Sequence, residues 1–266
     1  MTEVATDTVF LPPSLRRFHP VRVPRWEWNE HLALAYDLVE SLRPRLLVGL
    51  GMHWGASYYA CCQSVLENDL DTLCYAVSRW KEPRGTLGGN YLHDNFVAHG
   101  RDRYNSFSYV MRRGPARGLE HFSPASVDFI HLGEYFEGEK LAGNIAGQID
   151  KWLDKLRPGG LFMVHDVGQP GSVSRELWEQ LGQTHQTFIM PGDPATGVLR
   201  KAGGSEDGVP RLLRLLFDGD ANELQLMQAL YRHATDYLEL EYLVGEDEFG
   251  RMRQDREDEG ELQNAD

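Results

Sequence analysis

A short apolar run, Arg45 to Leu50, breaks into the turn Gly49-Leu50-Gly51-Met52-His53-Trp54-Gly55, and a helical period over Ala56 to Leu66 follows at once. Strand, glycine turn and helix in that order open a doubly wound α/β sheet, because parallel strands can pair only after a crossover that a helix supplies. The alternation continues along the chain. Short apolar runs predict strands at Leu73 to Val77, Phe107 to Met111, Val127 to Leu132, Gly160 to His165, Thr187 to Met190 and Thr196 to Leu199. Between them lie helices at Glu139 to Leu156, stopped by Arg157-Pro158-Gly159-Gly160, and at Val173 to Leu181. Seven strands alternating with helices predict one open, mostly parallel α/β sheet in a three-layer sandwich.

The ends of the chain have a different character. A Pro-rich lead-in (1–28) precedes a helix with apolar Leu32, Ala35, Tyr36, Val39 and Leu42, so the α/β domain is placed at 29–203. Helices follow over 204–245: Arg211 to Phe217, then Ala221 to Leu243 with an apolar stripe from Leu224 to Leu238. A stripe of that length can pack back on the sheet or support a homodimer. Residues 246–266 hold nine acids and three arginines, almost no apolar residues, and read as a solvated tail.

Charge and composition narrow the partners. The formal charge is −13, which argues against nucleic acid or an anionic membrane as a partner, since both repel an acidic surface. No stretch approaches the roughly 20 apolar residues of a membrane span, and Met1 to Phe10 lacks the basic and apolar regions of a signal peptide. The chain reads as soluble, unexported and cytoplasmic. Cys61, Cys62 and Cys74 lack disulfide-framework or zinc-ligand spacing and read as reduced core thiols.

In an open α/β sheet, ligands bind beyond the carboxyl ends of the strands beside the first one. The glycine turn there allows a close backbone approach, and the helix behind it offers free N–H groups, a combination suited to a nucleotide-like ligand. The runs Arg45 to Gln63, Asp71 to Trp80, Ser126 to His131 and Trp152 to Asp166, with Leu177 to Leu181 running on to Gly197 to Leu199, resemble the class I S-adenosylmethionine-dependent methyltransferases associated with bacterial glycosyltransferases. The resemblance covers roughly Trp28 to Leu199. It implies a Rossmann-like methyltransferase fold, S-adenosylmethionine as cofactor, a saccharide or sugar-bearing acceptor and a glycosyltransferase as partner. Its candidate cofactor contacts are Gly49, Gly51, His53, Gly55, Ser78, Arg79, Gly114 and His131. Its candidate catalytic residues are His165, Asp166 and Glu134, with Glu134 and Asp166 able to hold a divalent ion such as Mg²⁺.

Three positions depart from that family's pattern. Gly49 stands where the first strand usually carries an acid, Ser78 where an acid usually grips the ribose diol, and Gly133 where the fourth strand is usually followed by Asp. A serine cannot supply the two-acceptor carboxylate a diol needs. A methyltransferase-like protein that has lost catalysis and serves as a partner or regulatory subunit is therefore the second reading. Ser78-Arg79 supports a third, because a small residue followed by Arg is how dinucleotide folds admit the 2′-phosphate of NADP. The basic cluster Arg112, Arg113 and Arg117 can meet an anionic substrate or pair with surface acids, the second being preferred, and Trp26, Trp28, Trp54, Trp80, Tyr91 and Tyr135 gather around the expected cleft mouth.

Overall fold

The computed structural model of the chain describes residues 10–22, 31–52, 54–80, 90–133, 142–165, 167, 173–192 and 195–238. Seven strands form one sheet: β1 (Leu46–Leu50), β2 (Leu73–Ser78), β3 (Ser108–Arg112), β4 (Val127–Leu132), β5 (Leu156–His165), β6 (Gln186–Met190) and β7 (Thr196–Arg200). Their spatial order is β3-β2-β1-β4-β5-β7-β6, and only β7 runs antiparallel to its neighbours. Crossovers leave β1 on one side toward β2 and on the other toward β4, so the switch point lies at the carboxyl ends of β1 and β4.

Helices cover both faces. They are α1 (Ser14–Arg17), α2 (Leu32–Leu42), α3 (Ala56–Glu67), α4 (Tyr91–Arg101), α5 (Pro115–Gly118), α6 (Ala142–Lys155), α7 (Val173–Leu181), α8 (Arg211–Phe217) and a last helical stretch over 221–238, here α9. Side-chain alternation along the strands sorts the core into two layers. Leu47, Phe129, Leu161, Met163 and Val198 pack with α2, α3, α8 and α9, while Val48, Leu50, Ile130, Phe162, Val164 and Leu199 pack with α6 and α7. Among the described residues no helix is long and apolar enough to cross a membrane.

The expected stripe of α9 turns inward. Met227, Tyr231, Ala234 and Leu238 are buried in the same core as α2 and α3, leaving Leu226 and Tyr237 exposed. Of the two fates expected for the stripe, packing against the sheet layer is the one observed. α2 is consequently enclosed: every residue from Leu32 to Val39 is buried. Asp37 joins three segments from inside that enclosure. Its carboxylate accepts the Ser14 backbone N–H at 2.9 Å, the Ser14 hydroxyl at 2.5 Å and the Tyr231 hydroxyl at 3.0 Å. The three cysteines are buried free thiols, as expected.

One boundary differs from the sequence expectation. β5 starts at Leu156, not at Gly160, because Arg157 to Gly160 form a bulge inside the strand: Val127 pairs with Leu156 and Phe129 already with Leu161. Gly159 takes a left-handed φ of 74° there, and its N–H donates to the Lys201 carbonyl at 2.8 Å. Asp128, between the paired residues, holds the amino end of the sheet. Its carboxylate accepts the backbone N–H groups of Arg45 (3.0 Å) and Leu46 (2.9 Å) and pairs with the Arg157 guanidinium.

Asp128 is nearly buried whereas Arg157 is well exposed, so the two partners are not equivalent. Asp128→Ala leaves two backbone donors at the start of β1 without their acceptor and should cost about 2–4 kcal/mol. Arg157→Ala should cost about 1 kcal/mol or less. Urea unfolding of both variants checks the ranking, and equal costs would contradict it.

Candidate functional site

At the end of β1 the chain bends through Gly51, whose φ is 68° and whose N–H donates to the Val77 carbonyl at 3.0 Å. Gly55, with φ 86°, is the N-cap of α3. Both values lie in the left-handed region that side chains resist, which is why glycine occupies these positions. A Cβ on Gly55 would also come within 2.4 Å of the Phe96 ring of α4. The loop after β4 closes down on the same turn: the Gly133 N–H donates to the Leu50 carbonyl at 2.9 Å, and a Cβ on Gly133 would lie 3.0 Å from the Gly51 carbonyl oxygen.

This closeness accounts for two of the departures. A Cβ on Gly49 would stand 2.7 Å from the Tyr58 ring and 3.0 Å from Met52 Sδ, and one on Gly133 would stand 3.3 Å from Met52 Cε. The Met52 side chain is thus wedged between the ends of β1 and β4, next to both positions where the family carries acids. Gly49, expected at the cofactor, is a packing position under Tyr58. The third departure is occupied as well. The Ser78 hydroxyl donates to the Met52 carbonyl at 3.1 Å and accepts the Trp80 N–H at 3.3 Å, tying the end of β2 to the glycine turn.

His131 and His165, expected to converge on one cleft, meet on the α2 side of the sheet, and His31, which the sequence did not point to, joins them. His131 and His165 meet Nε2 to Nε2 at 2.8 Å with perpendicular rings, and the other nitrogen of His165, Nδ1, lies 3.2 Å from Thr196 Oγ1. The His31 ring, at the start of α2, sits 5.5 Å from that of His165. All three rings are buried. Burial, reinforced by the neighbouring histidines, pushes His131 down to about 3 and His165 well below the ordinary value, so both are neutral. A neutral pair shares one proton across the 2.8 Å contact. If His131 donates, His165 Nδ1 donates to Thr196, and only a lone pair at His131 Nδ1 lacks a partner among the described residues. The reverse order would leave a buried N–H unpaired there, which costs more, so the network assigns the first arrangement. His165 is then engaged at both nitrogens, and accepting a proton from a substrate requires one of these contacts to open.

The remaining candidates divide. Arg79 and Gly114 come together: a Cβ on Gly114 would lie 3.1 Å from Arg79 Nε. His53, Glu134 and Asp166, and with them the expected carboxylate and divalent-ion site, lie outside the described residues. Among the described residues no group of three or more His, Cys, Asp or Glu could hold a metal ion. Arg112 donates to Asn90 Oδ1 and Arg113 meets His121 Nε2 at 3.2 Å. Trp80 is buried 5.0 Å from Phe96, Trp54 packs on Tyr91 at 5.7 Å, and Trp26, Trp28 and Tyr135 lie outside the described residues.

The fold can be placed among known structures. It is similar to that of a proposed caffeoyl-CoA O-methyltransferase from Staphylococcus aureus, with a TM-score of 0.51 and 14% identity over 68% of this chain and 86% of that one. The fold is that of the class I methyltransferases. A methyltransferase from Geobacter sulfurreducens aligns over 67% of this chain and 80% of its own, at 12% identity and a TM-score of 0.49. In sequence, the chain is 29% identical over 198 residues to an uncharacterized protein, y4gI, of Sinorhizobium fredii. That match takes in 73% of this chain and 21% of the relative, so the chain spans about a fifth of that protein's length. No protein-family model matches.

The histidine cluster makes stability depend on pH. Between about pH 3 and 6.5 the unfolded chain protonates His131 and His165 while the folded chain does not, so folding weakens as pH falls. His99, pushed down to about 4 by burial, acts in the same direction. Asp37 acts oppositely. Burial raises it to about 7, so its folded form gains stability below that pH and loses it as pH rises through 7. Histidines outnumber the single carboxyl, and unfolding free energy should fall by about 1.4 kcal/mol per pH unit for each net proton between pH 6 and 4.5. Urea unfolding across that range checks this. Replacing both His131 and His165 by Leu should flatten or invert the slope, and an unchanged slope would remove them as its cause.

Proposed function

We propose that this chain is an S-adenosylmethionine-dependent O-methyltransferase whose acceptor is a saccharide or sugar-bearing small molecule. The observation that carries the reading is the turn from β1 to α3, where left-handed Gly51 and Gly55, both buried and Gly55 packed under the Phe96 ring, shape the backbone at the switch point of this sheet. The resemblance of the sequence blocks and the likeness of the fold to the Staphylococcus aureus structure support it. The residues fit the cofactor in part. The Gly51–Gly55 turn and the amino end of α3 suit its amino-acid end, whereas Ser78 is already bonded to the turn and Met52 packs beside the positions of the missing acids. The bound cofactor would supply an electrophilic methyl group, and transfer requires chiefly that the acceptor oxygen be held in line with it. The neutral His131–His165 pair would then position the strand ends beneath the acceptor, with Glu134 and Asp166 as the groups to take its proton or hold a divalent ion.

A second reading draws on the same wedge. With both acid positions closed by packing, the chain would be a methyltransferase-like partner without turnover, in keeping with a much longer relative in which this unit is one part. Calorimetric titration separates the two. Micromolar binding of S-adenosylmethionine and S-adenosylhomocysteine is expected, and Gly51→Asp should abolish it by filling the backbone approach while the far-ultraviolet spectrum stays unchanged. No heat at millimolar ligand would transfer the protein to the second reading. NADP added to the same titration tests whether Arg79 beside Gly114 serves a phosphate instead.

A further inference from the structure

A cavity of about 380 Å³ lies beside the first turn of α2. It is bounded by α1, the residues just after it, the first turn of α2 and the end of α9. Its apolar part is formed by Phe18, Ala33, Ala234 and Leu238, all nearly buried. Its polar part carries Arg16, Arg17 and two histidines, and among the described residues that line it there is no acid. In a chain with 40 acidic and 27 basic residues, that lining is more basic than the chain as a whole. The two arginines are not equivalent. Arg17 is held by Glu40 and by Asn68 Oδ1 at 2.8 Å, whereas Arg16 is exposed.

The size falls within the range of roughly 300–1,000 Å³ typical of small-molecule sites, and an apolar floor with a few charged groups is their usual chemistry. The cavity is also separate from the glycine-turn cleft. None of the described residues that line it belongs to the glycine turn or to the histidine cluster. We propose that this cavity is a second binding site, for a small amphipathic anion: an apolar body against Phe18 and Ala234, and a carboxylate, sulfonate or phosphate toward Arg16 and His233.

The probe is 1-anilinonaphthalene-8-sulfonate, an amphipathic anion whose fluorescence rises in an apolar site, titrated into the full chain beside the uncharged N-phenyl-1-naphthylamine. One probe molecule should bind per chain, more tightly than its uncharged analogue. Arg16→Glu, on the surface and remote from the core, should weaken the anion about ten-fold and leave the uncharged analogue unaffected. Ala234→Phe, which fills the floor, should weaken both. S-adenosylhomocysteine should displace neither. Affinity for the anion unchanged by Arg16→Glu, or displacement by S-adenosylhomocysteine, would overturn the proposal. So would binding that appears only after residues 246–266 are deleted, since that result assigns the cavity to the chain's own acidic end.

Discussion

The carboxyl ends of β1 and β4 lie so close that a Cβ on Gly133 would meet the Gly51 carbonyl oxygen at 3.0 Å, and the upper surface of the sheet is arranged around that closeness. Gly133 donates to the last carbonyl of β1 while its missing Cβ faces the carbonyl of Gly51. Met52 fills what space is left. Its unbranched thioether adapts to an irregular gap at little cost, and it replaces two carboxylates that would be expensive to keep charged against the Tyr58 ring. The three departures at Gly49, Ser78 and Gly133 are therefore one structural change. Met52 packs beside the positions of two acids, and Ser78 fastens the carbonyl of Met52 itself. On the proposed function, a ligand above this turn would be recognised mainly by backbone N–H groups, because Gly49 and Gly133 carry no carboxylates there.

Buried polar groups elsewhere show what a purely structural network looks like in this chain. Asp128 satisfies two backbone donors and one guanidinium, and Asp37 collects three donors from two segments. Each joins parts of the chain that are distant in sequence. The histidine cluster leaves one nitrogen of His131 without a partner among the described residues, as the core leaves the indole nitrogens of Trp152 and Trp178. The place of the histidines beside the sheet's switch point, while Asp128 lies at the opposite end, supports a role for the cluster in whatever binds there.

Much of the fold could be read from the sequence because its determinants are local. Short apolar runs bounded by turn residues marked all seven strands, and the left-handed positions at Gly51 and Gly55 follow from the glycines themselves. Arg157-Pro158-Gly159-Gly160 was legible as a break but not as a bulge, since the difference lies in whether β4 pairs on both sides of it. The stripe of α9 is apolar whether it meets its own sheet or another copy, so only the tertiary contact decides. The site was less legible for the same reason. His31 reaches His165 from a distant helix, and Met52 in a turn carries no signal of its own; both depend on register and packing, which a single sequence does not display.

α2 joins the two compartments of the molecule. It is buried from Leu32 to Val39, with His31 at its head near His165 and Ala33 in the cavity wall. A helix packed this tightly moves as a unit, because close-packed surroundings favour discrete arrangements over gradual deformation. A displacement of its first turn would be felt at the histidines and at the cavity. Occupancy of the cavity can alter the histidine cluster only so far as its ligand prefers one position of α2 over another. Asp37, on the same helix and tied to Ser14 and Tyr231, opposes such movement, and its three hydrogen bonds set the resistance that any coupling through α2 must overcome.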